Sequence, residues 1–179
     1  MTRSQDVSLE DVRKVLSTTP GTLRSLVFGA PDSALDFREA PGAWTPLQVL
    51  CHVTDGEVTN WMPRLNLILS SGESLPFTPF DRDAGFTVYA GWNAEQVLAE
   101  FERLRTANLA RLDAFELQDA DLQRTGVHPA LGVVTAAQLL ACWATHDLAH
   151  TAQISRSLVR SFGAHVGPWR QYFSLLVDA

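Results

Sequence analysis

The sequence predicts an all-α protein, a single domain over residues 1–179 built as a four-helix bundle. Three observations carry that expectation. Four long stretches repeat apolar residues at helical spacing, and strand-like alternation is weak throughout. Three of the four stretches open on one start signal, a capping residue followed three positions later by glutamine: Thr45 with Gln48, Asn93 with Gln96, and Thr135 with Gln138.

The first helix is expected over Ser8–Phe28, with Ser8 as its cap and Glu10 and Asp11 in its first turn, where acids meet the positive end of the helix dipole. Pro20-Gly21 should kink or split it, with Thr19 capping a second piece, and Gly29 and Pro31 end it. The second helix opens at Thr45 with Pro46 at its first position, runs to about Ser70, and should kink at Pro63. The third runs from Asn93 to about Phe115 and the fourth from Thr135 to about Val159. Gly72–Trp92 is a long connection rich in proline and aromatics, so it is expected to pack on the bundle, as a lid if the bundle holds a pocket. Leu117–Val134 reads as a short turn, and the apolar tail Tyr172–Val177 as a segment docked on the core.

Composition narrows the function. A net charge of −6 without a basic cluster argues against nucleic acid and against an anionic membrane surface. No apolar run is long enough for a membrane helix, and Met-Thr-Arg-Ser-Gln-Asp at the start lacks the apolar core of a signal peptide, so a cytoplasmic location is expected. Two cysteines, Cys51 and Cys142, are too few for a disulfide scaffold and read as buried thiols.

The chemistry lies with histidine. His146 and His150, four residues apart, fall on the apolar side of the fourth helix beside Leu139, Trp143 and Ile154. Two imidazoles one turn apart can share a metal ion, although the pair lacks the glutamate of an H-E-x-x-H zinc protease. A site that binds metal and keeps an open position needs a third ligand, and His52 in the second helix is the best candidate, with Gly56 leaving room beside it. His52 lies near Val49, Val53 and Gly56, away from the stripe Leu47, Leu50, Trp61, Leu65 and Ile68. This helix therefore carries two apolar faces; a partner subunit could cover one, or a kink at Pro63 could explain part of the pattern.

Two segments resemble the signatures of the DinB/YfiT-like superfamily: Trp44-Thr45-Pro46-Leu47-Gln48-Val49-Leu50-Cys51-His52-Val53-Thr54-Asp55-Gly56-Glu57, and Thr145-His146-Asp147-Leu148-Ala149-His150-Thr151-Ala152-Gln153-Ile154. The likeness extends to Pro76–Arg82 and Val166–Arg170, and departs at Gln48, where many relatives have glutamate. The resemblance implies a four-helix bundle with long crossover loops, frequently a homodimer. It also implies a divalent metal, commonly zinc or nickel, held by three histidines, here His52, His146 and His150. Members of this superfamily include transferases and isomerases that use a low-molecular-weight thiol cosubstrate such as bacillithiol or mycothiol, and metal-dependent hydrolases. The expected function is thus that of a metal-dependent enzyme acting on a small-molecule substrate, as an S-transferase or a hydrolase. The alternatives are a non-catalytic metal- or ligand-binding bundle and a purely structural one.

Acids and amides near the histidines are candidates to orient the ring nitrogens turned away from the metal: Asp55, Glu57, Asp147 and Gln153, of which Glu57 lies nearest the apolar side of its helix and ranks first as an auxiliary catalytic group. Cys142, one turn before His146, is expected to pack in the core; Cys51 points away from His52. His128 and His165 read as loop residues, His128 with the option of lining a pocket entrance. Trp44, Trp61 and Trp143 are expected to fill the bundle.

Overall fold

Two apolar clusters with a layer of buried polar residues between them divide the interior, and this three-part division shapes the molecule. The structure is a computed structural model describing residues 8–177. The signal-peptide reading of the first six residues lies outside that range. The long helices are α1 (Leu9–Phe28), α3 (Pro46–Thr59), α4 (Trp61–Ser71), α6 (Ala94–Ala114) and α8 (Ala136–Ser161). Short helices α2 (Asp32–Leu35), α5 (Ala84–Val88) and α7 (Asp119–Leu122) lie in the connections. The α1 helix packs on α6 and α8, and α3 packs on the same two, which makes the bundle four-helical.

The capping boxes form as the sequence requires. Thr45, Asn93 and Thr135 each accept from the backbone N–H three residues on, and the glutamine there reaches back to the cap's N–H. Ser8 and Asp11 do the same for α1.

One cluster joins Val12 and Leu16 of α1, Trp61 to Ile68 of α4, Leu112 of α6, and Leu139 to Ala144 of α8. The other joins Leu23 and Val27, Val49 to Val53, Val97 to Phe101, and Ile154. Between them lie the buried polar residues Thr19, Glu57, Arg105, Asn108 and Asp147, at intermediate positions of the same helices.

Several local expectations need correction. Pro20 does not split α1, which runs unbroken, and Thr19 caps nothing: its hydroxyl donates to the Val15 carbonyl. The second predicted helix is broken at Asn60 rather than kinked at Pro63. Pro63 cannot donate to the Thr59 carbonyl, so the irregularity falls in the preceding turn. Leu117–Val134 is more than a turn: it holds α7 and a hairpin of β1 (Thr125–His128) and β2 (Gly132–Thr135), paired antiparallel from Thr125 opposite Thr135 to His128 opposite Gly132. In the tail only Leu176 is buried; Trp169, Tyr172 and Phe173 face outward. Gly72–Trp92 does pack on the bundle, with Phe77 and Tyr89 buried.

Both faces of α3 are covered within one chain. Pro46 and the run from Val49 to Glu57 are buried, and Leu47 is half-buried. The α5 helix supplies part of the cover and approaches so closely that a Cβ on Gly85 would lie 2.6 Å from the Cys51 carbonyl oxygen. The two-faced pattern of this helix therefore does not call for a partner subunit.

Candidate metal centre

His52 from α3 and His146 and His150 from α8 converge, although the first two are 94 positions apart in sequence. One ring nitrogen from each lies within 4.8 Å of the others. The Nε2 atoms of His52 and His146 are 3.0 Å apart. Two nitrogens bound to one tetrahedral zinc, at ~2.0–2.1 Å each, would lie roughly 3.3 Å apart, so the spacing suits a shared ion after small adjustments.

Hydrogen bonds aim two of the rings. His52 Nδ1 lies 2.9 Å from the carbonyl oxygen of Arg82, in the loop between α4 and α5. A carbonyl only accepts, so Nδ1 carries the proton and the Nε2 lone pair faces the centre. His150 Nδ1 lies 2.8 Å from Gln153 Oε1, which fixes the same tautomer. His146 has no such partner: its Nδ1 is buried without a hydrogen bond. Without a cation, the His146 Nε2–H is the one ring donor that can meet the inward lone pairs of His52 and His150, and His146 Nδ1 is then left buried and unpaired; a shared cation would take all three nitrogens at once.

All three imidazoles are held neutral, the form that binds metal. Burial is the main cause for each. His146 is pushed down to about 3, with further contributions from His150, His52, Arg105 and Arg82. Burial likewise lowers His52 and His150, outweighing the hydrogen bonds that favour their charged forms.

Aromatic rings wall the centre. Trp44 lies 4.8 Å from the His52 ring and 6.3 Å from that of His150; Phe80 lies 5.4 Å from His52, and Trp61 5.0 Å from His146. Trp44 and Trp61 therefore border the histidines, while Trp143, stacked on Trp61 at 5.7 Å, fills the bundle as expected. Arg82 lies over Trp44, 5.0 Å from the ring centre.

Of the four residues expected to orient the histidines, Gln153 does so. Glu57 does not. Its carboxylate accepts from Arg105 (2.8 and 3.0 Å), from Asn108 Nδ2 (3.1 Å) and from the Trp143 indole N–H (3.1 Å). Asp147 also pairs with Arg105, at 2.6 and 3.0 Å. Burial raises the Asp147 carboxyl despite the Arg105 charge. Asp55 accepts from Thr59 Oγ1 at 3.0 Å. These acids support the helices that carry the histidines and touch no ring nitrogen among the described residues. Cys51 is buried as expected, its thiol pushed up to about 11 by burial, whereas Cys142 is exposed. His165 is exposed, and His128 ends β1, half-buried.

Sequence reasoning missed two elements. The Arg82 carbonyl is backbone and leaves no residue-type signal. Arg105 did leave one: Phe101, Arg105, Asn108 and Leu112 occupy one helical stripe, where a cation and an amide are out of place unless paired inside.

The fold and the site define a four-helix bundle with a three-histidine centre suited to a divalent metal. The DinB superfamily model matches residues 16–154, and the chain belongs to that superfamily. A protein of Oceanobacillus iheyensis named "Putative metal-dependent hydrolase" is 28% identical over 140 residues, 76% of this chain and 77% of that one. YfiT from Bacillus subtilis, described as "a probable metal-dependent hydrolase with an unusual four-helix bundle topology", superposes with a TM-score of 0.72 and 27% identity over 91% of this chain and 94% of its own. TT2238, a four-helix bundle protein, gives 0.57 and 24% over 83% and 98%, a likeness of fold. Among the described residues no helix is long and apolar enough to cross a membrane.

Proposed function

We propose that the protein is a metal-dependent hydrolase of a small molecule, with zinc or nickel held by His52, His146 and His150. The observation that carries the reading is the convergence of three neutral imidazoles, two of them held with Nε2 lone pairs inward by Arg82 O and Gln153 Oε1. Three nitrogen ligands suit either metal and leave a coordination position open. When bound, the metal would supply Lewis acidity and lower the pKa of the water or thiol it holds. The protein's own part is to fix the rings, through α3, α8 and the Arg82 loop, and to shield them with Trp44, Trp61 and Phe80. The names of the relatives support hydrolysis.

Transfer of a low-molecular-weight thiol to an electrophile is the second reading, and one observation favours it. Glu57 and Asp147 are committed to Arg105, and Asp55 to Thr59, so none of them is placed as a proton acceptor for water. A thiol ionised on binding needs no such acceptor.

The test uses untagged protein. Metal analysis should give about one equivalent per chain, falling below roughly 0.2 in His146→Ala. Loaded protein should hydrolyse activated esters and lose that activity with a chelator. Turnover of activated electrophiles only when bacillithiol or mycothiol is added would replace hydrolysis by transfer. A wild type that takes up no metal would overturn both.

A further inference from the structure

A second polar cluster lies one turn of α8 away from the histidines. Arg64, on α4, is only 9% exposed, yet no carboxylate among the described residues lies within 4.0 Å of its nitrogens. Among the described residues its one hydrogen bond to protein is a long one, from Nη2 to the Thr78 carbonyl at 3.4 Å. The guanidinium lies over the Phe77 ring, 5.3 Å from its centre. Arg105, the other deeply buried arginine, meets two carboxylates and a carbonyl. A buried guanidinium without a counter-ion is costly, and burial pulls Arg64 below its ordinary pKa.

His128, on the same aromatic ring as Arg64, offers a donor as well. His128 packs its edge against the same Phe77 ring, centroids 6.3 Å apart at 90°. His128 Nδ1 accepts from the backbone N–H groups of Ala130 and Leu131, at 3.1 and 3.2 Å. The neutral ring therefore carries its proton on Nε2, as a second N–H donor. The Arg64 charge disfavours the imidazolium, in addition to burial. Cys142, whose thiol feels the Arg64 charge, lies four residues before His146, ~6 Å along α8. Trp61, which touches His146, lies three residues before Arg64 on α4. The Arg64 cluster thus borders the histidine centre through α4 and α8.

We propose that Arg64 and His128 form a carboxylate-binding subsite beside the three-histidine centre, taking the anionic end of a small substrate whose other end reaches the metal. Arginine's planar fork matches the two oxygens of a carboxylate. One formal positive charge with a neutral imidazole suits a monoanion better than a phosphate dianion. The assignment to a substrate rests on the metal-dependent reading above; the anion site itself does not.

Titration of metal-free and zinc-loaded protein with acetate, benzoate and inorganic phosphate, followed by NMR at Arg64 Nε–H and the His128 ring, tests the proposal. Both signals should shift saturably with the carboxylates, with phosphate at least about fivefold weaker. Arg64→Gln should weaken carboxylate binding about tenfold or more, and Arg64→Lys, which keeps the charge but loses the fork, about threefold. Zinc stoichiometry should be unchanged in Arg64→Lys. Should Arg64→Gln fail to fold, Arg64→Lys and His128→Gln carry the test, each binding more weakly than wild type. No saturable shift at Arg64, equal affinity in Arg64→Lys, or tighter phosphate than carboxylate binding would each overturn the subsite. Carboxylate binding in a protein that takes up no zinc would instead sink the metal reading and leave the anion site standing.

Discussion

Arg105 donates a 2.8 Å hydrogen bond to the carbonyl of Leu16, the carbonyl that Pro20 leaves without its helical donor. A proline at position 20 has no N–H for the oxygen four residues earlier. One turn along α6, Asn108 donates to the Glu57 carbonyl at 2.8 Å, beside the break between α3 and α4. Two side chains on one stripe of α6 thus serve carbonyls at irregularities in two neighbouring helices. Arg105 also joins Glu57 to Asp147, so α1, α3, α6 and α8 meet at one guanidinium.

Arg105→Met should therefore destabilise the protein by about 3–5 kcal/mol, because it leaves two carboxylates buried without a counter-charge. Urea denaturation with a far-UV signal measures it. A loss below about 1 kcal/mol, the size expected for a surface ion pair, would mean that the pair is solvated in solution.

Gln153→Leu removes the acceptor at His150 Nδ1 and nothing else that touches a ring. Metal affinity should fall about 10–100-fold, with the melting temperature of the metal-free protein little changed. Glu57→Gln should behave in the opposite sense: the fold weakens through Arg105, and the affinity of the protein that remains folded changes less. Competition with a chelating dye, alongside thermal melts of both variants, separates the two roles.

The difference between Glu57 and Gln153 marks how far the sequence could be read. Helix starts were legible because a capping box is a local hydrogen-bond pattern with its own residue types, and all three Gln-containing boxes formed. The histidines were legible because helical spacing puts His146 and His150 on one side, and a third ligand had to come from another helix. Glu57 stands first among the acids by helix-face position alone. Face position says that a carboxylate is buried but not what it pairs with, and its cation lies 48 residues away on α6. The hairpin escaped because its strands have four residues each and bury no alternating face. The apparent second face of α3 suggested a subunit because nothing local announces that α5 folds back over it.

Glu39 makes a pH-dependent clamp on the end of α8. It accepts from Ser157 Oγ (2.6 Å), Arg156 Nε (3.1 Å) and Arg160 Nη1 (3.0 Å). Burial alone would raise its carboxyl, but the Ser157 and Arg156 hydrogen bonds, with the Arg156 and Arg160 charges, hold it below the ordinary 4.5. A folded-state pKa below the unfolded one contributes stability that is present above about 4.5 and lost as pH falls through the folded value. Wild type should melt above Glu39→Gln near neutral pH, and the gap should close as the solution is acidified below that range. A gap that persists unchanged into acid would mean that the carboxylate charge contributes nothing.

Gly85 ties the loop that aims His52 to the helix that carries it. An added Cβ there would meet the Cys51 carbonyl oxygen at 2.6 Å and its carbon at 2.9 Å, both backbone atoms of α3 that cannot turn aside. The α5 helix would have to lift, and Arg82, two residues before its first residue, would move the carbonyl that holds His52 Nδ1. Gly85→Ala should destabilise the fold by about 1–3 kcal/mol and also weaken metal binding, since overpacking here displaces a ring acceptor. Gly21→Ala supplies the contrast. Its Cβ would enter open space within α1, so it should stabilise by about 0.5–1 kcal/mol through helix propensity and leave metal affinity alone. Equal metal affinity in both variants would mean that the Arg82 loop does not set the His52 ring.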